Sequence, residues 1–239
     1  MRTLAIIGNV MGAGGGSEFT PLSLSNLVAH YAADDVTPST PVNAWPDAGA
    51  GGLDLAIFGS EVGGTYDATG APNSLPSVWF NGTTQGLQSA LFTAIPHPYH
   101  TIGVYKFRTW ASNGILFGLG TTGFVWIQMQ TITPEFAAYA GVSTSRSADL
   151  AVDTYGIVEI LFNGASSTII VDGGTPVTGN TGSNTMGQIT FAARQSGGNN
   201  SALEVGGMTI CSDEITGDEL TNIRNWYSNK YWSSDFPPP

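Results

Sequence analysis

The sequence predicts an all-β protein, a two-sheet antiparallel sandwich with one C-terminal α-helix and an N-terminal arm. Three observations carry that prediction. From Leu27 to Cys211, short apolar segments recur between Gly, Pro, Asn and Asp at close spacing, the pattern of strands joined by tight turns. Asn81-Gly82, Asn113-Gly114, Asn163-Gly164 and Asp172-Gly173 supply residues that tolerate positive φ at reversals. A helical period occurs only near the end, where Leu220, Ile223, Tyr227 and Tyr231 share one face between about Asp218 and Trp232.

Residues 1–20 read as a separate arm. Leu4, Ile6, Ile7, Val10 and Met11 make it apolar, and Gly14, Gly15 and Gly16 make its far end flexible unless something holds it. Such a segment suits docking on a neighbouring subunit; the alternative is that it adds an edge strand to its own domain. Residues 21–239 show no repeat and no shift of composition, so they are read as one domain. Candidate strands are 27–31, 54–58, 77–81, 99–108, 114–119, 124–130, 136–142, 155–162, 167–172, 187–194 and 202–211. The clearest hairpin runs from Gly156 to Asp172 around Asn163-Gly164. Thr216 and Glu219 stand at capping-box spacing ahead of the helix. Pro237, Pro238 and Pro239 cannot prolong it.

Composition excludes several classes of function. Only 10% of residues are charged and the net charge is -11, so the surface is hydrogen-bonding, neutral in most places and acidic on balance. Seven scattered bases against that field give no stripe for phosphates, which argues against nucleic acid. Cys211 is the single cysteine, which removes an internal disulfide and a multi-cysteine zinc site. Leu4 to Ala13, behind Arg2, looks like the apolar part of a secretory leader, but Asn9 and the glycines weaken it. No run of about 18 apolar residues exists to span a membrane.

Catalytic motifs are equally sparse. A glycosidase built on one strand of a sandwich wants two carboxylates on its same face, within about 5 Å of each other. Glu159 and Glu204 instead stand alone on their strands, while Asp213-Glu214 and Asp218-Glu219 flank a helix start, where the dipole favours them. The expectation from residues alone is that the chain is not an enzyme. Gly118-Leu119-Gly120-Thr121-Thr122-Gly123 matches a dinucleotide fingerprint, yet the residues after it read as a strand where the mechanism needs a helix N-terminus. His30, His97 and His100 have no metal-ligand spacing. Among the tryptophans, Trp45 reads as an anchor, Trp79 and Trp126 as inward-facing strand residues, and Trp110 as an exposed glycan-binding candidate.

The two ends of the domain add a resemblance. The opening carries Pro21-Leu22-Ser23-Leu24 and Leu27 behind a Gly-rich leader, then Trp45-Pro46-Asp47 with Gly49, Gly51 and Gly52, then Val78-Trp79-Phe80-Asn81-Gly82 with Leu87. The close is Met208 to Cys211, a short Asp-containing link and the terminal helix. Together these resemble the lectin-like jelly-roll domains of the laminin G and concanavalin A type found in bacteriophage structural proteins. His30-Tyr31 stands where that family usually places a Trp. The resemblance implies a concanavalin A-like jelly roll in a non-enzymatic virion protein exposed on the particle, as a capsid decoration or a tail fibre or baseplate component. It implies a homo-oligomer, other virion proteins held through the arm, and a host surface glycan as ligand. It also implies calcium, for which Asp34, Asp35, Asp47 and Asp54 are the candidates, although Asp in Gly-rich turns commonly caps its own backbone. The alternatives are a carbohydrate-binding module of a bacterial surface protein and a glycoside hydrolase.

Overall fold

The computed structural model describes residues 19–109, 114–120, 126–129, 135–147, 150–194, 197–234 and 236. Its first strands are β1 (Leu27–Ala32), β2 (Ala44–Trp45), β3 (Leu55–Ala56), β4 (Thr65–Ala71), β5 (Leu75–Asn81) and β6 (Leu87–Ser89). The middle of the chain forms β7 (Tyr99–Phe107), β8 (Ile115–Gly120), β9 (Trp126–Met129), β10 (Glu135–Tyr139) and β11 (Ser143–Ser147). The remainder forms β12 (Tyr155–Phe162), β13 (Ser167–Val171), β14 (Val177–Gly179), β15 (Met186–Phe191), β16 (Ala202–Cys211) and the helix α1 (Gly217–Trp232).

These strands make two antiparallel sheets. One runs β14-β13-β12-β7-β16-β5-β4, with β1 pairing the last part of β16 beyond β5. The other runs β11-β10-β9-β8-β15-β6-β3-β2. Gly118 and Gly120 sit within β8, which pairs with β9, so the fingerprint-like glycines belong to a strand.

Alternation along each strand then builds two cores. On the first sheet Tyr105, Phe107, Val158, Ile160, Phe162, Leu203 and Val205 face the second sheet, which contributes Phe117, Ile127, Phe136, Ile189 and Phe191. Trp45 is the anchor expected: it is fully buried, stacks on Phe191 with centroids 5.5 Å apart, and donates from Nε1 to the Ala32 carbonyl at 3.0 Å. The opposite face of the first sheet is apolar too, through Ile102, Val104, Ile157 and Cys211, and α1 covers it with Ile223, Tyr227 and Tyr231. Each of those side chains contributes about 1.5–3 kcal/mol by leaving water. Where Tyr231 lands, β16 bulges between Val205 and Gly207, and a Cβ on Gly206 would lie 2.7 Å from the Tyr231 ring.

Two expectations need correction. Thr216 is the helix N-cap but makes no side-chain capping bond, and Gly217 after it enters the helix at φ +57, outside the helical range. Trp79 does not face the core: Val78 and Phe80 take the inward positions, which leaves Trp79 on the outer side of β5 beside Arg108.

Candidate functional site

Ionisable groups concentrate on the outer face of the first sheet, where α1 stops covering it. Glu204 of β16 is fully buried and faces Lys106 and Tyr155, its neighbours in the same cross-strand row of β7 and β12. Lys106 Nζ lies 2.5 Å from Glu204 Oε2, the Tyr155 hydroxyl donates to the same oxygen at 2.8 Å, and Arg108 pairs with Oε1. Lys106 also sits 4.8 Å above the Tyr155 ring, and Arg108 5.9 Å from that of Trp79. Burial pushes the Tyr155 phenol far above its usual range, so it stays protonated and acts as a donor.

A second nest surrounds Glu159 of β12. Arg224 of α1 holds it with both forks, Nε to Oε2 at 2.7 Å and Nη2 to Oε1 at 2.8 Å. His100 Nε2 lies 3.2 Å from Oε1, while His100 Nδ1 accepts the Ile215 backbone N–H. Burial opposes ionisation of Glu159, but the hydrogen bonds from His100 and Arg224 outweigh it and hold the carboxyl below its usual range. The rows through Glu159 and Glu204 are four residues and two strands apart, roughly 16 Å between backbone positions by strand geometry. Each carboxylate is neutralised where it stands.

Of the four aspartates named for calcium, three have backbone or ion-pair partners. Asp47 Oδ1 accepts the backbone N–H groups of His30 and Gly49, and its Oδ2 accepts that of Leu53. Asp54 accepts the Asp47 N–H at 2.8 Å, which closes a loop built around one side chain. Asp34 pairs with Lys230 at 2.8 Å. Burial, with the charge of Asp34, raises the carboxyl of Asp35. Among the described residues no group of three or more His, Cys, Asp or Glu is arranged to hold a metal. The histidines serve structure: His97 joins Gly164 N–H to the Asn184 carbonyl, and His30 Nδ1 meets the Thr209 hydroxyl at 2.9 Å. Trp110 and the arm residues Leu4, Ile6, Ile7, Val10 and Met11 lie outside the described residues.

Among the hollows formed by the described residues, two of sugar size are lined in part by amides, hydroxyls or carboxylates. One, of about 440 Å³, lies beside β2 between Thr37, Ser39, Asn43 and Asp54. The other, of about 430 Å³, runs along α1 between Phe19, Asn222, Asn225, Trp226, Asn229 and Lys230. The face of the second sheet turned from the core is less open. Register places Gln88, Thr190 and Tyr139 in one row there, with Gln88 donating to Thr190, but Thr190 and Ala137 are fully buried.

Solved structures carry this same sandwich. Over 84% of this chain and 33% of its own, a sialidase from Trypanosoma rangeli in complex with sialic acid superposes with a TM-score of 0.55 at 13% identity. Domain 4 of a GH43 extracellular arabinanase from Geobacillus stearothermophilus, in complex with arabinotriose, is covered over 97% of its length by 82% of this chain, with a TM-score of 0.60 and 13% identity. A mutant GH54 α-L-arabinofuranosidase matches 75% of the chain over 49% of its own, at 0.58 and 12%. The chain thus spans about a third of the sialidase and about half of the arabinofuranosidase. No protein-family model matches it, and no curated protein is significantly similar.

These neighbours share an all-β sandwich, and their proteins act on or bind glycans. They bring with them no phage or laminin G identity. They also correct the expectation that the chain is not an enzyme, since these neighbours belong to a sialidase, a GH43 arabinanase and a GH54 arabinofuranosidase. A motif within one strand is a narrow test, because side chains that meet across strands, as Glu204 meets Tyr155 and Lys106, leave no local spacing in a sequence. The hollow along α1 was likewise missed. Its signal was nonetheless present, because Asn222, Asn225 and Asn229 recur at helical spacing on the side opposite the apolar stripe.

Proposed function

We propose that this chain is a carbohydrate-recognition sandwich, working in a protein that binds or processes polymeric glycans at a surface. The observation that carries the reading is the match to a neighbour of its own size, a whole arabinanase domain covered over 97% of its length and solved with arabinotriose. The surface supports it. With 10% charged residues and abundant amides and hydroxyls, the chain presents the neutral donors and acceptors that sugar hydroxyls pair with. The setting proposed is the exposed surface of a phage particle, which the motifs at both ends of the domain resemble, with residues 1–20 holding other particle proteins or further copies of the chain.

A glycan array read with the full chain tests the reading. Saturable binding to a subset of glycans is expected, and flat signals across the array would end it. Reducing-sugar release from the glycans that bind, measured beside Glu159→Gln and Glu204→Gln, tells binding alone from turnover. For the setting, deleting residues 1–16 is expected to abolish incorporation into particles, and normal incorporation removes the arm as anchor.

A further inference from the structure

The hollow along α1 has the composition of a saccharide subsite. Asn222, Asn225 and Asn229 follow one another at three and four residues, so their amides form a row with about 5–6 Å between side-chain origins. Each amide offers two donors and an acceptor oxygen. Asn222 and Asn229 are exposed, and Asn225 keeps its NH₂ group while its Oδ1 accepts the Phe236 backbone N–H at 3.4 Å. Trp226 stands within the row and is held in place. His30 meets it at 5.5 Å and Tyr227 at 5.0 Å, both edge to face, and Lys230 Nζ lies 4.9 Å from its ring. Phe19 lines the hollow as well. An aromatic side chain beside a row of amides is how a pocket takes a ring that is apolar on its faces and hydroxylated at its rim.

Charge narrows the class of ligand. Lys230, the one cation among the described residues lining the hollow, is already paired with Asp34 at 2.8 Å. The net charge of -11 opposes an approaching anion. Resting on the carbohydrate reading above, we infer that the groove formed by Phe19, Asn222, Asn225, Trp226, Asn229 and Lys230 is a binding subsite for a neutral saccharide, with the asparagine row pairing its hydroxyls and Trp226 lying against the ring.

The test uses the full chain and four probes in titration calorimetry: arabinotriose, cellotriose and maltotriose as neutral sugars and sialyllactose as an anionic one. Asn222 and Asn229 are replaced together by Ala; both are exposed, so the melting temperature should stay at the native value. At least one neutral sugar is expected to bind the native chain and to lose roughly tenfold in affinity in the double variant, the size of two neutral hydrogen bonds. Replacing Thr37 and Asn43, in the hollow beside β2, should leave that affinity unchanged. If the native chain binds a neutral sugar and the α1 variant binds it equally well, or the β2 variant loses it, the subsite is wrong while the carbohydrate reading stands. Preference for sialyllactose overturns the neutral class. A native chain that binds none of the four, and is also flat on the array, takes both down.

Discussion

Two buried side chains tie this protein's stability to pH. His30 is nearly fully buried, and burial together with the charge of Lys230 lowers its pKa to about 4. The unfolded chain therefore binds a proton on His30 more readily than the folded one, and stability is complete above about pH 6.5 and lost as pH falls toward 4. Urea unfolding should show a decrease of about 2 kcal/mol from this residue between pH 7 and pH 5, and His30→Gln should flatten that slope. An unchanged slope in the variant would show that the proton is taken up elsewhere. Glu159 acts in a lower window. Its folded pKa is depressed, so its contribution is present above the ordinary carboxyl range and disappears as the pH drops through the folded value. Arg224→Ala removes the forked partner and leaves Glu159 buried beside His100. A loss of about 2–3 kcal/mol is expected in urea at neutral pH, and a change under about 0.5 kcal/mol would mean that the pair does little for folding.

The helix and the strand beneath it lock together at one glycine. Gly206→Ala places a methyl group where the Tyr231 ring lies, so α1 must shift or β16 must lose its bulge. A cost of about 1–3 kcal/mol is expected, with the denaturation midpoint as the readout. Thr216→Ala is the contrasting case. A working N-cap is worth about 1 kcal/mol, but Thr216 makes no capping bond, so the variant should unfold within about 0.5 kcal/mol of the native chain. The strands that sequence periodicity missed follow one rule. β2, β4, β11 and β14 end the two strand orders and pair on one side only, and β6 is only three residues long; β1 also pairs on one side, yet it was legible because Ala29 and Tyr31 face the core and His30 lies under Trp226 of α1. An edge strand pairs on one side and is wetter, so it needs no apolar alternation; Thr65–Ala71 and Ser143–Ser147 are polar for that reason. Interior strands such as β7, β12 and β16 were legible because both their neighbours and their covered faces demand apolar residues.

As a whole the molecule stacks three layers, second sheet, first sheet and α1, and the thiol of Cys211 lies under the third. Burial, with the charge of Glu219, pushes that thiol up to about 12. Alkylation by a thiol reagent at pH 8 should therefore be slow in the native protein and should track the denaturation curve, while fast labelling without denaturant would show that α1 lifts independently. The sequence alone determined the class of structure, because strand alternation, turn residues and a single helical stripe are local signals written at fixed spacing. It also determined the sparse, acidic, hydrogen-bonding surface. Only the tertiary structure decided which face of the first sheet receives α1, that Trp79 turns outward, and that Glu204 meets Lys106, Arg108 and Tyr155. The physical reason is that these partners are joined by sheet register and layer packing across long stretches of chain, and no spacing within a single segment encodes them.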